Sequence, residues 1–134
     1  MFKKITRITL IALLSTSAYS AHAVTLDSLV KKASKCNGPN CPNARDFIKQ
    51  PKVTKAIKKS FKNVGMTPPQ WIFNNQNVAM STQYTIDKGG EGIYIEACQL
   101  TSICSSNSLK GWYDVKYGTF DGTLIIDGEE KAVY

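Results

Sequence analysis

The sequence predicts an α+β domain in which an antiparallel β-sheet meander packs against an amphipathic helix. Three observations predict it. Apolar residues recur at helical spacing between Pro51 and Gly65. Beyond Pro68-Pro69 the pattern changes to short runs rich in β-branched and aromatic residues. Turn residues separate those runs closely enough that consecutive strands must lie antiparallel.

Residues 1–23 read as an export signal and residues 24–134 as a single domain. Lys3, Lys4 and Arg7 form a basic start. Ile8 to Leu14 is apolar but too short to span a bilayer, and Ala21-His22-Ala23 is a small-x-small cleavage site. Val24 is then the first residue of an exported protein. Thr25 to Val30 suits a short helical turn, Cys36 to Asn43 is turn chemistry throughout, and Ala44 to Lys49 suits a short helix. The main helix starts at Pro51, since proline fits a first helical turn, and stops at Gly65, since glycine fits the position just past the end. Val53, Ala56, Ile57, Phe61 and Val64 share one face of it, and Lys52, Lys55, Lys58, Lys59 and Lys62 share the other. Strands are expected over Val78–Ile86, Gly92–Cys98, Leu109–Tyr117, Thr123–Ile126 and Lys131–Tyr134. Asp87 to Gly90, Asp121-Gly122 and Asp127-Gly128 are the turn signals between them.

Charge is divided along the chain. Of seventeen basic residues three leave with the signal, so fourteen face ten acidic ones and the exported part carries a net +4. Residues 24–63 hold ten basic and two acidic side chains, while residues 64–134 hold four and eight. The lysine face of the helix, with Lys52, Lys55, Lys59 and Lys62, has two readings. It is a solvated helix face, or it attracts an anionic surface such as envelope lipid or cell-wall polymer. A nucleic-acid partner is not expected, because no aromatic-rich basic stripe accompanies the charge.

Catalysis is largely excluded by composition. His22 is the only histidine and lies in the signal, so the domain cannot build a Ser-His-Asp or Cys-His site. Glu91, Glu96, Asp114 and Asp121 show no spacing that pairs them as acid and base. No glycine motif cradles phosphate, and no cofactor or metal is expected. Cys36, Cys41, Cys98 and Cys104 are an even set in an exported chain and read as disulfides. Four cysteines allow three pairings, of which Cys36–Cys41 with Cys98–Cys104 is the simplest. A four-cysteine zinc site would need closer spacings and free thiolates. The segment Gln99, Leu100, Thr101, Ser102 and Ile103 between the last two cysteines is the candidate binding loop. A bridge across its base would stiffen it and lower the entropy lost on binding. Leu100 and Ile103 either stand at its tip as a protein-binding surface or fold back onto the sheet.

Between Ser60 and about Asp127 the chain resembles the inhibitor of vertebrate lysozyme (Ivy) family. The matching features, in order, are Lys59-Ser60-Phe61, Pro68-Pro69-Gln70-Trp71-Ile72, Tyr94-Ile95-Glu96-Ala97-Cys98, the second cysteine Cys104, an aromatic-bearing strand near Trp112, and the strand from Gly122 to Asp127. The resemblance implies an antiparallel sheet and a periplasmic protein that blocks c-type lysozymes, without catalysis of its own; it also allows a dimer. It further implies that Gln99 to Ile103, held by Cys98 and Cys104, enters the target's cleft like a key. The family loop usually reads Cys-Lys-Pro-His-Asp-Cys, and its histidine meets the catalytic carboxylates. Here five residues separate the cysteines and none is charged. Thr101 and Ser102 offer neutral hydroxyls, whose hydrogen bonds to a carboxylate are roughly half as strong as charge-assisted ones. A changed key suggests a changed lock, so the target is a lysozyme, another peptidoglycan hydrolase, or a toxin delivered by competing bacteria. In the last case the chain is an immunity protein. Cys36 and Cys41 precede the helix and stand outside the resemblance.

Overall fold

The computed structural model describes residues 24–74, 77–79, 82–87, 89–100 and 102–134. The expected export signal, residues 1–23, and Thr101 of the expected binding loop lie outside the described residues. Among the described residues three α-helices come first: α1 (Leu26–Ala33), α2 (Ala44–Ile48) and α3 (Pro51–Asn63). Six strands follow: β1 (Asn77–Ala79), β2 (Gln83–Asp87), β3 (Gly90–Gln99), β4 (Asn107–Asp114), β5 (Thr119–Ile126) and β6 (Glu129–Val133).

Each helix end has a local cause. The Thr25 side chain accepts from the Ser28 N–H and caps α1. Asn43 and Asp46 form a reciprocal capping box on α2, each side chain bonded to the other's backbone N–H. Pro51 opens α3. Gly65 closes it at φ +70°, with its N–H on the Lys62 carbonyl and the Met66 N–H on the Phe61 carbonyl. That pair of bonds is a Schellman motif, which glycine makes accessible. The stripe of α3 divides as the wheel predicts: Val53, Ala56, Ile57 and Phe61 are buried and all five lysines are exposed. Ser60 is buried with them, its hydroxyl donating to the Ile57 carbonyl at 2.7 Å.

The sheet is an antiparallel meander. In the order β3-β4-β5-β6 each strand pairs with the next, while β1 and β2 both pair with the free side of β3. The sheet is thus five strands wide, with one edge made of two segments, and it does not close. Register aligns Ile93 with Tyr113, Ile95 with Gly111 and Ala97 with Leu109. Those rows continue to Phe120, Gly122 and Leu124 on β5. This face and the buried sides of α1, α2 and α3 form one core with Phe47, Ile48, Trp71, Ile72 and Val133. Burial, and secondarily the neighbouring Asp114, push the Tyr113 hydroxyl above its ordinary pKa. The opposite face carries Tyr94, Glu96, Lys110, Trp112 and Thr123, all half-buried.

Three strand expectations are corrected. The strand expected over Val78–Ile86 is divided between β1 and β2, with Met80 and Ser81 outside the described residues. The strand expected over Leu109–Tyr117 is β4 and ends at Asp114, where the Asp114 carboxylate accepts the Tyr117 N–H at 2.7 Å and Gly118 adopts φ +63°. That Asx-type bond makes residues 115–118 the turn. Asp121-Gly122 is not a turn but the middle of β5. Gly122 faces Gly111 across the ladder, and a β-carbon on Gly111 would stand 2.3 Å from the Phe120 ring. The two glycines are therefore space for that ring rather than turn residues. Asp127-Gly128 is the turn expected, with both residues at positive φ.

Gly111→Ala should be destabilised by about 1–3 kcal/mol, because both the Phe120 ring and the Asp121 carbonyl crowd the added methyl. Urea unfolding compared with the wild type measures it.

Candidate functional site, a disulfide-closed loop

Two disulfides are present, Cys36–Cys41 and Cys98–Cys104, so the local pairing is the one adopted. They suit an oxidising, exported compartment. Among the described residues no helix is long and apolar enough to cross a membrane.

The second disulfide stands where β3 leaves the sheet. Cys98 is buried at the end of β3 and pairs in register with Ser108 of β4. Its partner Cys104 lies six residues on, with the two α-carbons 5.0 Å apart. The chain between them is therefore a loop that leaves and re-enters at one point. Within it the Ser102 N–H donates to the Gln99 carbonyl at 3.1 Å, and the Ser106 and Asn107 N–H groups donate to the Ile103 carbonyl at 2.9 and 3.1 Å. Asn107 ties the loop to the rest of the sheet. Its amide nitrogen donates to the Ser102 hydroxyl at 2.8 Å, and its amide oxygen accepts the Asp127 N–H at 3.3 Å. The Gly128 N–H adds a bond to the Ser106 carbonyl at 3.1 Å. The loop and the β5–β6 turn thus brace each other. Neither spacing nor periodicity marks Asn107 beforehand; its one signal is that asparagine favours such side-chain to backbone bonds.

The candidate residues divide in a definite way. Gln99 and Ser102 are half-buried, and the Ser102 hydroxyl is engaged by Asn107. Leu100 and Ile103 are 58% and 67% exposed. Of the two courses open to them, folding back or facing water, they take the second. Residues 97–109 contain no charged side chain, and Glu96 and Lys110, which flank that stretch, pair with each other at 3.6 Å. The tip is accordingly apolar with neutral donors and acceptors. Beneath it the Ser108 hydroxyl is buried, with no hydrogen-bond partner among the described residues.

The first disulfide closes an exposed loop between α1 and α2, which contains the short 3-10 turn Gly38–Asn40. It is fastened to the β1–β2 connection by the Thr82 hydroxyl, which donates to the Pro42 carbonyl at 2.7 Å. The lysine face is elsewhere again. Lys52, Lys55 and Lys59 share a hollow with Lys116 and Tyr117, at the end of β4 opposite to the disulfide loop. Among the described residues no three of His, Cys, Asp or Glu converge in a metal-binding group. No family model, curated protein or solved structure matches this chain.

Replacing both Cys98 and Cys104 by Ser should cost about 2 kcal/mol of stability, the loop-closure term for so short a ring. Hydrogen exchange should quicken at the amides of Ser102, Ser106 and Asn107 and change little at Ile93 to Ala97.

Proposed function

We propose that the chain inhibits a lysozyme or related peptidoglycan hydrolase by placing the loop Gln99–Ile103 in the target's active-site cleft. The observation that supports this reading most strongly is the pair of apolar side chains, Leu100 and Ile103, held in water on a loop closed at its base. Covering exposed apolar groups with a partner is favourable, and a braced loop has little conformational entropy left to lose when it is covered. The resemblance to the Ivy family over Ser60 to about Asp127 supplies the class of target. The absence of histidine from residues 24–134 argues for blocking rather than reacting.

Affinity on this reading comes from apolar burial. Covering Leu100 and Ile103 contributes about 1.5–3 kcal/mol each. Neutral hydroxyls and backbone groups of the loop then orient it against a cleft lined by carboxylates. Positive charge at the tip has no part, because the loop has none.

A second reading has a specific observation in its favour. The loop has five residues between its cysteines and lacks the histidine that the resemblance would lead one to expect. That difference suits a different cleft, such as that of a peptidoglycan-degrading toxin against which the chain is an immunity protein. A toxin gene next to this one, whose product the chain neutralises, would decide for it.

Substituting both Leu100 and Ile103 by Asp should weaken binding to a c-type lysozyme, measured by calorimetry, by at least about a hundredfold. The melting temperature should stay where it is, since neither side chain is in the core. Undiminished affinity in the folded double variant would remove the loop from the interface.

A further inference from the structure

Helix α3 exposes Lys52, Lys55, Lys58, Lys59 and Lys62 and contains no acidic residue at all. Several of these lysines stand three or four apart, where like charges on a helix each cost about 0.2–0.5 kcal/mol in place of gaining as much. None of the five forms an ion pair among the described residues. Lys58 lies 5.0 Å from the Phe73 ring at one margin of the stripe. The other margin is continued by the β4–β5 turn. There Lys52, Lys55, Lys59 and Lys116 surround a hollow of about 340 Å³ that also includes Tyr113 and Tyr117.

Two features distinguish this surface from an ordinary solvated face. Tyr117 and Tyr134, at the rim of the lysines, are 68% and 65% exposed. The Asn63 amide donates to the Tyr134 main-chain oxygen at 2.9 Å and ties that residue to the end of α3. Tyrosine beside lysine is the pairing favoured at a lipid–water boundary, where the ring rests among headgroups and the ammonium meets phosphate. The surface is also extended rather than a single pocket. Three adjoining hollows share Lys59, and together they run from Lys52 to Tyr134. A helix of this length is about 20 Å long, which suits an array of anions better than one compact anion. Two side-chain carboxylates stand near the patch, Asp121 beside Tyr134 and Asp114, which accepts the Tyr117 N–H.

We propose that this end of the domain docks on a membrane surface of anionic phospholipid. The lysines of α3 and Lys116 meet the lipid phosphates, and Tyr117 and Tyr134 enter the headgroup layer. The patch and the disulfide loop lie at opposite ends of β4, about 24 Å apart along the strand. Leu100 and Ile103, at the far end of β4, take no part in that docking surface. The inference does not rest on the inhibitory reading, since it uses no residue of the loop.

The test is co-sedimentation of the protein, in the form its host cells process it to, with vesicles of phosphatidylcholine alone and of phosphatidylcholine with phosphatidylglycerol. Binding is expected to the anionic vesicles only and to disappear at molar salt. Each lysine near such a surface contributes roughly fivefold, so K52Q/K55Q/K59Q should lower affinity by at least about tenfold. Tyr117→Ala should lower it several-fold, and L100D/I103D should leave it unchanged. Equal binding to both vesicle types overturns the proposal, as does capture by soluble polyphosphate without vesicle binding. An unchanged affinity in the triple variant also overturns it. Should that variant fail to fold, the salt titration of the wild type decides alone: salt-independent binding counts against the proposal.

Discussion

Ile93, Ile95 and Ala97 leave β3 on one side of the sheet, and most of the molecule is arranged around that choice of register. Because side chains alternate along a strand, a slip of one residue would turn all three into water and bring Tyr94 and Glu96 inward. The strand is paired along both sides, by β4 on one and by β1 and β2 on the other. Apolar side chains of α2 and α3, with Trp71 and Ile72, close over the face that results. The same register sets the fate of Cys98. It falls on the side opposite to the core residues, next to Ser108, and from there it meets Cys104 and closes the loop. Position of the loop and composition of the core are thus two outcomes of one constraint.

The two ends of the sheet have different chemistry for reasons that lie in the sequence. At the end where β3 passes to β4, a stretch without charge is braced by Asn107, Ser102 and the β5–β6 turn. At the end where β4 passes to β5, α3 crosses and brings its lysines beside Lys116 and Tyr117. An apolar, uncharged protrusion is suited to a desolvated cleft, while a hydrated cationic face is suited to an anionic surface. Separation of the two allows both to be engaged together.

Much of this was legible beforehand. The α3 boundaries follow from Pro51 and Gly65, its buried stripe from the spacing of Val53, Ile57 and Phe61, and the meander from the short turns. Helix ends and hydrophobic period are local, so the sequence carries them openly. Misreadings arose where a residue's role is set by something distant in the chain. Gly122 resembles a turn residue beside Asp121, yet it is glycine because the Phe120 ring needs the space that it and Gly111 leave. The candidate loop could be placed from its cysteines, and the course of Leu100 and Ile103 could not, because it depends on bonds from Asn107 and Gly128. Tyr117 was hidden for a similar reason: only the crossing of α3 shows it to be a neighbour of Lys52 and Lys55.

On the function proposed, a neutral, disulfide-closed loop blocks a cell-wall hydrolase. The most direct measurement is a titration of the oxidised protein into a c-type lysozyme while hydrolysis of cell-wall substrate is followed. Inhibition should saturate near one inhibitor per enzyme and be lost when the Cys98–Cys104 bond is reduced. Full hydrolysis at a large excess of folded, oxidised protein would contradict it for this class of enzyme, and would leave the loop a surface for a different partner.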